Sequence, residues 1–131
     1  MKNREPASGY LHFLWIASGS SELSDTVRHL FSDPGNEVYL SVVSAWEIIV
    51  KHKLGRLPLP EPPHEFIKKW RTRHEIDSLP LEEAAVLQLS RLPDYHKDPF
   101  DRIIICQAIA GGHVILTPDP RITKYPVRTE W

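Results

Sequence analysis

The 131-residue chain is long enough for one domain with a buried core. It is 41% hydrophobic and 25% charged, ordinary for a globular protein, and its formal net charge of −1 excludes an overall basic field for nucleic acid, leaving only a local patch for such contacts. The lone cysteine, Cys106, excludes an internal disulfide and a thiolate metal cluster, and fits a reducing, cytoplasmic setting.

No apolar run approaches a membrane span, and the charged stretch Met1 to Gly9 reads as irregular chain and a poor signal peptide. With no internal repeat, residues 1–131 read as a single domain. Tyr10 to Ala17 is a short apolar run that fits strand or helix. After the turn Ser18 to Ser21, a helix is expected from about Ser24 to Phe31, stopped by Asp33-Pro34-Gly35-Asn36. Glu37 to Leu40 reads as a strand. Val42 to Lys53 then reads as a helix with Val43, Trp46, Ile49 and Val50 on one apolar face, and with Ser44 and Glu47 spaced as a capping box. A proline-rich connector follows, then helices at Glu65–Arg73 and Leu81–Leu92 flanking a brief strand within His74–Leu79.

The most informative stretch is His96 to Arg102 with the apolar run Ile103 to Ala110 behind it. Asp98 is a good N-cap, Pro99 falls at N1, and Asp101 falls at N3, where the helix dipole favours a negative charge. Gly111 and Gly112 end this buried helix. His113 to Thr117 is a buried strand stopped by Pro118-Asp119-Pro120, and Tyr125 to Val127 fits an edge strand.

Strands alternating with helices predict an α/β domain with a mostly parallel sheet, whose ligands sit beyond the carboxyl ends of the strands. Glu47 follows one strand, Asp119 follows another, and Asp101 starts the helix feeding the second. Taken singly, each acid also fits a structural role: capping box, helix terminus or turn. Taken together, carboxylates without histidine or cysteine partners suit a hard cation such as Mg²⁺, which takes oxygen ligands, keeps several waters and assists phosphate-ester hydrolysis.

The run Ser41 to Ile48, then Gly55-Arg56-Leu57-Pro58-Leu59, Leu92-Pro93 with His96, Asp98-Pro99-Phe100-Asp101-Arg102, Leu116-Thr117-Pro118-Asp119 and the terminal Trp131 together resemble the PIN-domain family, more narrowly the VapC-type toxins of bacterial toxin–antitoxin pairs. The likeness runs from about residue 13 to the end. It implies a three-layer α/β/α fold, a Mg²⁺- or Mn²⁺-dependent ribonuclease, a cognate antitoxin and a homodimer. By position it assigns Glu47, Asp101 and Asp119 as catalytic and metal-holding acids, with Asp98 as a cap first and a metal ligand second. Members of the family open with a strand ending in an aspartate. Here that position falls near Gly9, so the first strand is expected to be degenerate or missing and activity to be impaired.

Two classes of function follow: a metal-dependent endoribonuclease, or a catalytically inactive PIN-like module that binds an antitoxin or RNA. A phosphatase-like or nucleotide-binding domain lacks the Gly-rich phosphate loop. Of the other residues, Arg102 is a candidate for phosphate or for Asp98, Lys51 to Arg56 is a basic run, and Trp15, Trp46 and Trp70 read as core.

Overall fold

The computed structural model describes residues 12–15 and 24–131. Its strands are β1 (His12–Trp15), β2 (Glu37–Ser41), β3 (Asp77–Leu79), β4 (Val114–Leu116) and β5 (Thr129–Glu130). They form one sheet in the order β3-β2-β1-β4-β5, with every neighbouring pair parallel. The connecting helices are α1 (Asp25–Ser32), α2 (Val42–Lys53), α3 (Pro63–His74), α4 (Glu83–Gln88), α5 (Pro99–Gly111) and α6 (Pro120–Thr123).

Period-two alternation divides the core into two faces. Phe13, Trp15, Val38, Leu40, Val114 and Leu116 pack on one side with Val27 of α1 and Ile67 and Trp70 of α3. Leu14, Tyr39 and Ile115 pack on the other with Val43 of α2, Ala85 of α4 and Ile104, Ile105, Cys106 and Ala108 of α5. The result is the expected three-layer α/β/α sandwich. Cys106 is buried among these residues, as a small core side chain. Trp15 stacks on Trp70 at 4.0 Å between centroids, tying the central strand to α3.

The sheet has no place left vacant by a missing first strand. Within the apolar run from Tyr10, residues 12–15 form β1 and occupy the centre, between β2 and β4. Phe13 and Leu14 are 1% and 0% exposed, so this short segment satisfies both faces of the core. The irregular chain expected over residues 1–9 and the turn at 18–21 lie outside the described residues, as does the side chain of His12.

Several boundaries differ from expectation for local reasons. The N-cap of α2 is Ser41, whose Oγ accepts from the Val43 N–H at 3.0 Å; Ser44 lies inside the helix and forms no capping box with Glu47. The helix expected over Leu81–Leu92 is only α4, its last turn tightening into a 3₁₀ turn at Leu89–Arg91 before Pro93. The final edge strand is Thr129–Glu130 instead of Tyr125–Val127, because Tyr125 turns inward and is 3% exposed.

Candidate active site

Because all strands are parallel, their carboxyl ends share one edge, and the strand order reverses at β1, the place where α/β sheets open a crevice. Three elements deliver acids there. α2 starts directly after β2 and carries Glu47; the α5 N-terminus carries Asp98 and Asp101; the turn after β4 carries Asp119. Glu47 and Asp101 are buried, at 8% and 6% exposure, and Asp119 is half-buried.

Each acid is fixed by local chemistry. Asp98 caps α5 as expected, accepting from the N–H groups of Phe100 and Asp101 at 2.9 and 3.1 Å. Gly112, in the left-handed conformation at φ 70°, closes the other end. Asp119 caps α6, accepting from the Arg121 N–H at 2.9 Å, while its own N–H donates to Thr117 Oγ1 at 3.2 Å.

Asp101 is the electrostatic centre. Burial first, then the charges of Asp98 and Glu47, push its carboxyl above the usual carboxylate range; His96 and Arg121 oppose the shift. Asp119 goes the other way: its hydrogen bonds with the Arg121 side chain hold it below that range.

Basic side chains already stand among these acids. Lys51 Nζ lies 2.8 Å from Glu47, one helical turn away. Arg121 forks onto Asp119, with Nη2 at 2.8 Å and Nε at 3.2 and 3.3 Å, and Nη2 also reaches Asp101 at 3.8 Å. His96 Nε2 lies 3.4 Å from Asp101 Oδ2. Tyr125 holds the His96 ring in place. Its hydroxyl accepts from the His96 backbone N–H at 3.2 Å and lies 2.8 Å from His96 Nδ1. The other ring nitrogen, Nε2, faces Asp101.

Of the four acids named from sequence, Asp98 and Glu47 thus act on Asp101 by their charge and Asp119 is joined to it by Arg121, but in this arrangement they do not all converge on one point. Among the described residues no three His, Cys, Asp or Glu side chains lie close enough to grip one ion together. The donor set is all oxygen and over-charged at Asp101, which suits a hard cation that keeps part of its water shell. Arg102 does not pair with Asp98. Its head is locked by Asp94 at 2.9 Å and by the carbonyls of Pro93 and His96. Trp46 is not core: it is 59% exposed beside the site and meets Phe100 edge-on at 4.7 Å.

His96 and Arg121 were not singled out as site residues by sequence. His96 carried a signal, since it stands in the motif before Asp98; Arg121 carried none beyond its place two residues after Asp119.

The PIN domain family matches residues 12–127. A 65-residue stretch, half of this chain, is 31% identical to Ribonuclease VapC16 of Mycobacterium tuberculosis and covers 46% of that protein, so the chain matches about half the length of this curated relative. The fold is similar to VapBC2 from Rickettsia felis, solved bound to a DNA fragment from their promoter, with a TM-score of 0.68 and 12% identity over 92% of this chain and 99% of that one. It is also similar to VapBC-1 from nontypeable Haemophilus influenzae, with a TM-score of 0.54 and 15% identity over 92% of this chain and 96% of that one. At such identities these structures speak for the fold, and the family match, spanning both inner faces of the sheet and all four acids, carries the assignment: the chain belongs to the PIN-domain family.

Proposed function

We propose that this chain is a metal-dependent endoribonuclease of the VapC toxin type, hydrolysing RNA phosphodiester bonds. The observation that carries the reading is the delivery of buried Glu47, buried Asp101 and Asp119, from three separate elements, to the carboxyl edge of a parallel sheet, where Arg121 bridges Asp101 and Asp119 and the charge of Glu47 acts on Asp101. Glu47, Asp101 and Asp119 would hold the ion, in large part through water, and Asp98 fixes the helix start from which Asp101 projects. A bound Mg²⁺ or Mn²⁺ would supply charge neutralisation at the phosphate and an acidified water. His96, held by Tyr125, orients Asp101 through its Nε2 face. A cognate antitoxin, a homodimer and a cytoplasmic location complete the reading. It is supported by the named relatives, one a VapC ribonuclease and the others VapBC assemblies. No helix among the described residues is long and apolar enough to cross a membrane.

A specific observation favours a second reading, an inactive module that binds an antitoxin or RNA. The central strand ends at Trp15, and the residues that follow it in sequence, Ile16 to Ser21, contain no carboxylate. The test is cleavage of single-stranded RNA with Mg²⁺ or Mn²⁺, with EDTA and Asp101→Asn as controls. Metal-dependent cleavage that Asp101→Asn abolishes supports the enzyme. A folded chain that binds RNA without cutting it supports the module.

A further inference from the structure

Three basic side chains stand around the acids, and they differ in how firmly they are held. Arg102 is 14% exposed and locked by two backbone carbonyls, the Tyr125 hydroxyl and Asp94. Lys51 is tied to Glu47 on its own helix, a local pair at i,i+4. Arg121 is unlike both. Its side chain is 59% exposed, and its guanidinium bridges acids from two different elements, Asp119 at 2.8 Å and Asp101 at 3.8 Å. Among the described residues its side-chain hydrogen bonds and ion pairs are with these acids alone.

A guanidinium and a divalent ion need the same carboxylate oxygens. Asp119 Oδ2 already takes an N–H from Arg121 Nη2, the single Nε–H is shared between Oδ2 and Oδ1, and Oδ1 also takes the backbone N–H. An ion arriving at Asp101 and Asp119 must therefore displace that head. The displaced guanidinium remains tethered at the rim, and the anion its planar fork fits best there is a phosphate, which it meets with two parallel hydrogen bonds.

We propose that Arg121 is a substrate-positioning residue stored on Asp119 and Asp101: the divalent ion releases it, and it then holds a phosphate of the RNA backbone. This rests on the metal-dependent reading above. Arg121 acts first as the counter-cation that keeps the empty acid cluster closed. It acts second as a phosphate clamp available only when the ion is in place, so that substrate binding follows metal binding.

The test compares the full chain with Arg121→Gln and Arg121→Lys, with circular dichroism checking that each is folded. Mn²⁺ binding is measured by calorimetry, and binding of adenosine 5′-monophosphate, which has a phosphate and no phosphodiester to cut, is measured at saturating Mn²⁺. Freeing the acids of an exposed pair should tighten Mn²⁺ binding roughly two- to fivefold in Arg121→Gln. The same variant should bind the nucleotide less tightly once Mn²⁺ is present, and Arg121→Lys should fall between it and the unaltered chain. Unchanged or weaker Mn²⁺ binding in Arg121→Gln overturns the storage role. Tighter Mn²⁺ binding with unchanged nucleotide affinity overturns the clamp. If neither the unaltered chain nor Arg121→Gln binds Mn²⁺, the metal reading itself fails and this inference falls with it. If both bind Mn²⁺ equally and only Asp101→Asn does not, the metal reading stands and the storage role is overturned.

Discussion

Asp98 and Asp101 share one helical turn, yet their substitution should move stability in opposite directions. Asp98 accepts two backbone N–H groups that have no partner inside α5. Asp98→Ala strips both, and loss of a cap of this kind costs about 1 kcal/mol, within a range of about 0.5–2 kcal/mol. For a domain of this size that lowers Tm by about 4 °C. Asp98→Asn keeps the acceptor and removes a charge that raises Asp101, so it should stay close to the parent. Asp101 caps nothing. Its carboxyl is raised by burial and by Asp98 and Glu47, so its ionised form opposes folding when no metal is bound. A carboxyl raised in the folded state favours folding at a pH below its unfolded value, here 3.8, and that advantage is lost as pH rises through the raised value. Asp101→Asn should therefore stabilise the EDTA-treated protein at neutral pH, and the gain should shrink as pH falls toward 4. Urea unfolding at several pH values, with Mn²⁺ calorimetry alongside, reads both effects. The reasoning fails if Asp98→Asn falls as far as Asp98→Ala, or if Asp101→Asn destabilises at pH 7.

Asp119 carries the opposite linkage. Arg121 lowers its carboxyl, so its contribution is present above 3.8 and lost as pH falls through the lowered value, and Asp119→Asn should cost stability at neutral pH and little in acid. Away from the site, Gln107 is 4% exposed, accepts from Ser41 Oγ and donates to the Pro80 carbonyl at 3.2 Å, joining α5 to the α2 start and the loop before α4. Gln107→Ala leaves that carbonyl without its donor and should cost about 1–3 kcal/mol in urea unfolding; a loss under about 0.5 kcal/mol would show that water replaces the amide.

What the sequence revealed of the fold was whatever adjacent residues decide. The Asp98-Pro99 start of α5, its glycine end, and the Ser24 and Asp33 limits of α1 are all caps or stops written within four residues, and they stand where expected. The central strand was ambiguous because His12 to Trp15 is too short for periodicity to separate strand from helix; pairing on both sides, with β2 and β4, decides it. The end of the chain misled because a proline-flanked apolar run reads as an edge strand, whereas Tyr125 is drawn inward to bind His96 and Arg102.

The site was legible as a set of acids and illegible as a set of partners. α2 shows why. Its apolar stripe on paper includes Trp46, yet the face turned inward is Val43, Ser44 and Glu47, and Trp46 and Val42 look outward. A moment-based reading turns the most apolar stripe to the core, but here the inward stripe carries the polar groups the site needs. The burial of Glu47 thus runs against local hydrophobicity and is balanced by Lys51 at 2.8 Å, whereas the buried Ser44 Oγ has no hydrogen-bond partner among the described residues. Arg121 is invisible for the complementary reason. Its partner Asp119 is two residues away, but Asp101 is brought to it only by the passage of α5 into β4, a tertiary fact that no spacing encodes. A pattern of acids names the chemistry, while the residues that balance those acids when no ion is bound are set by the fold around them.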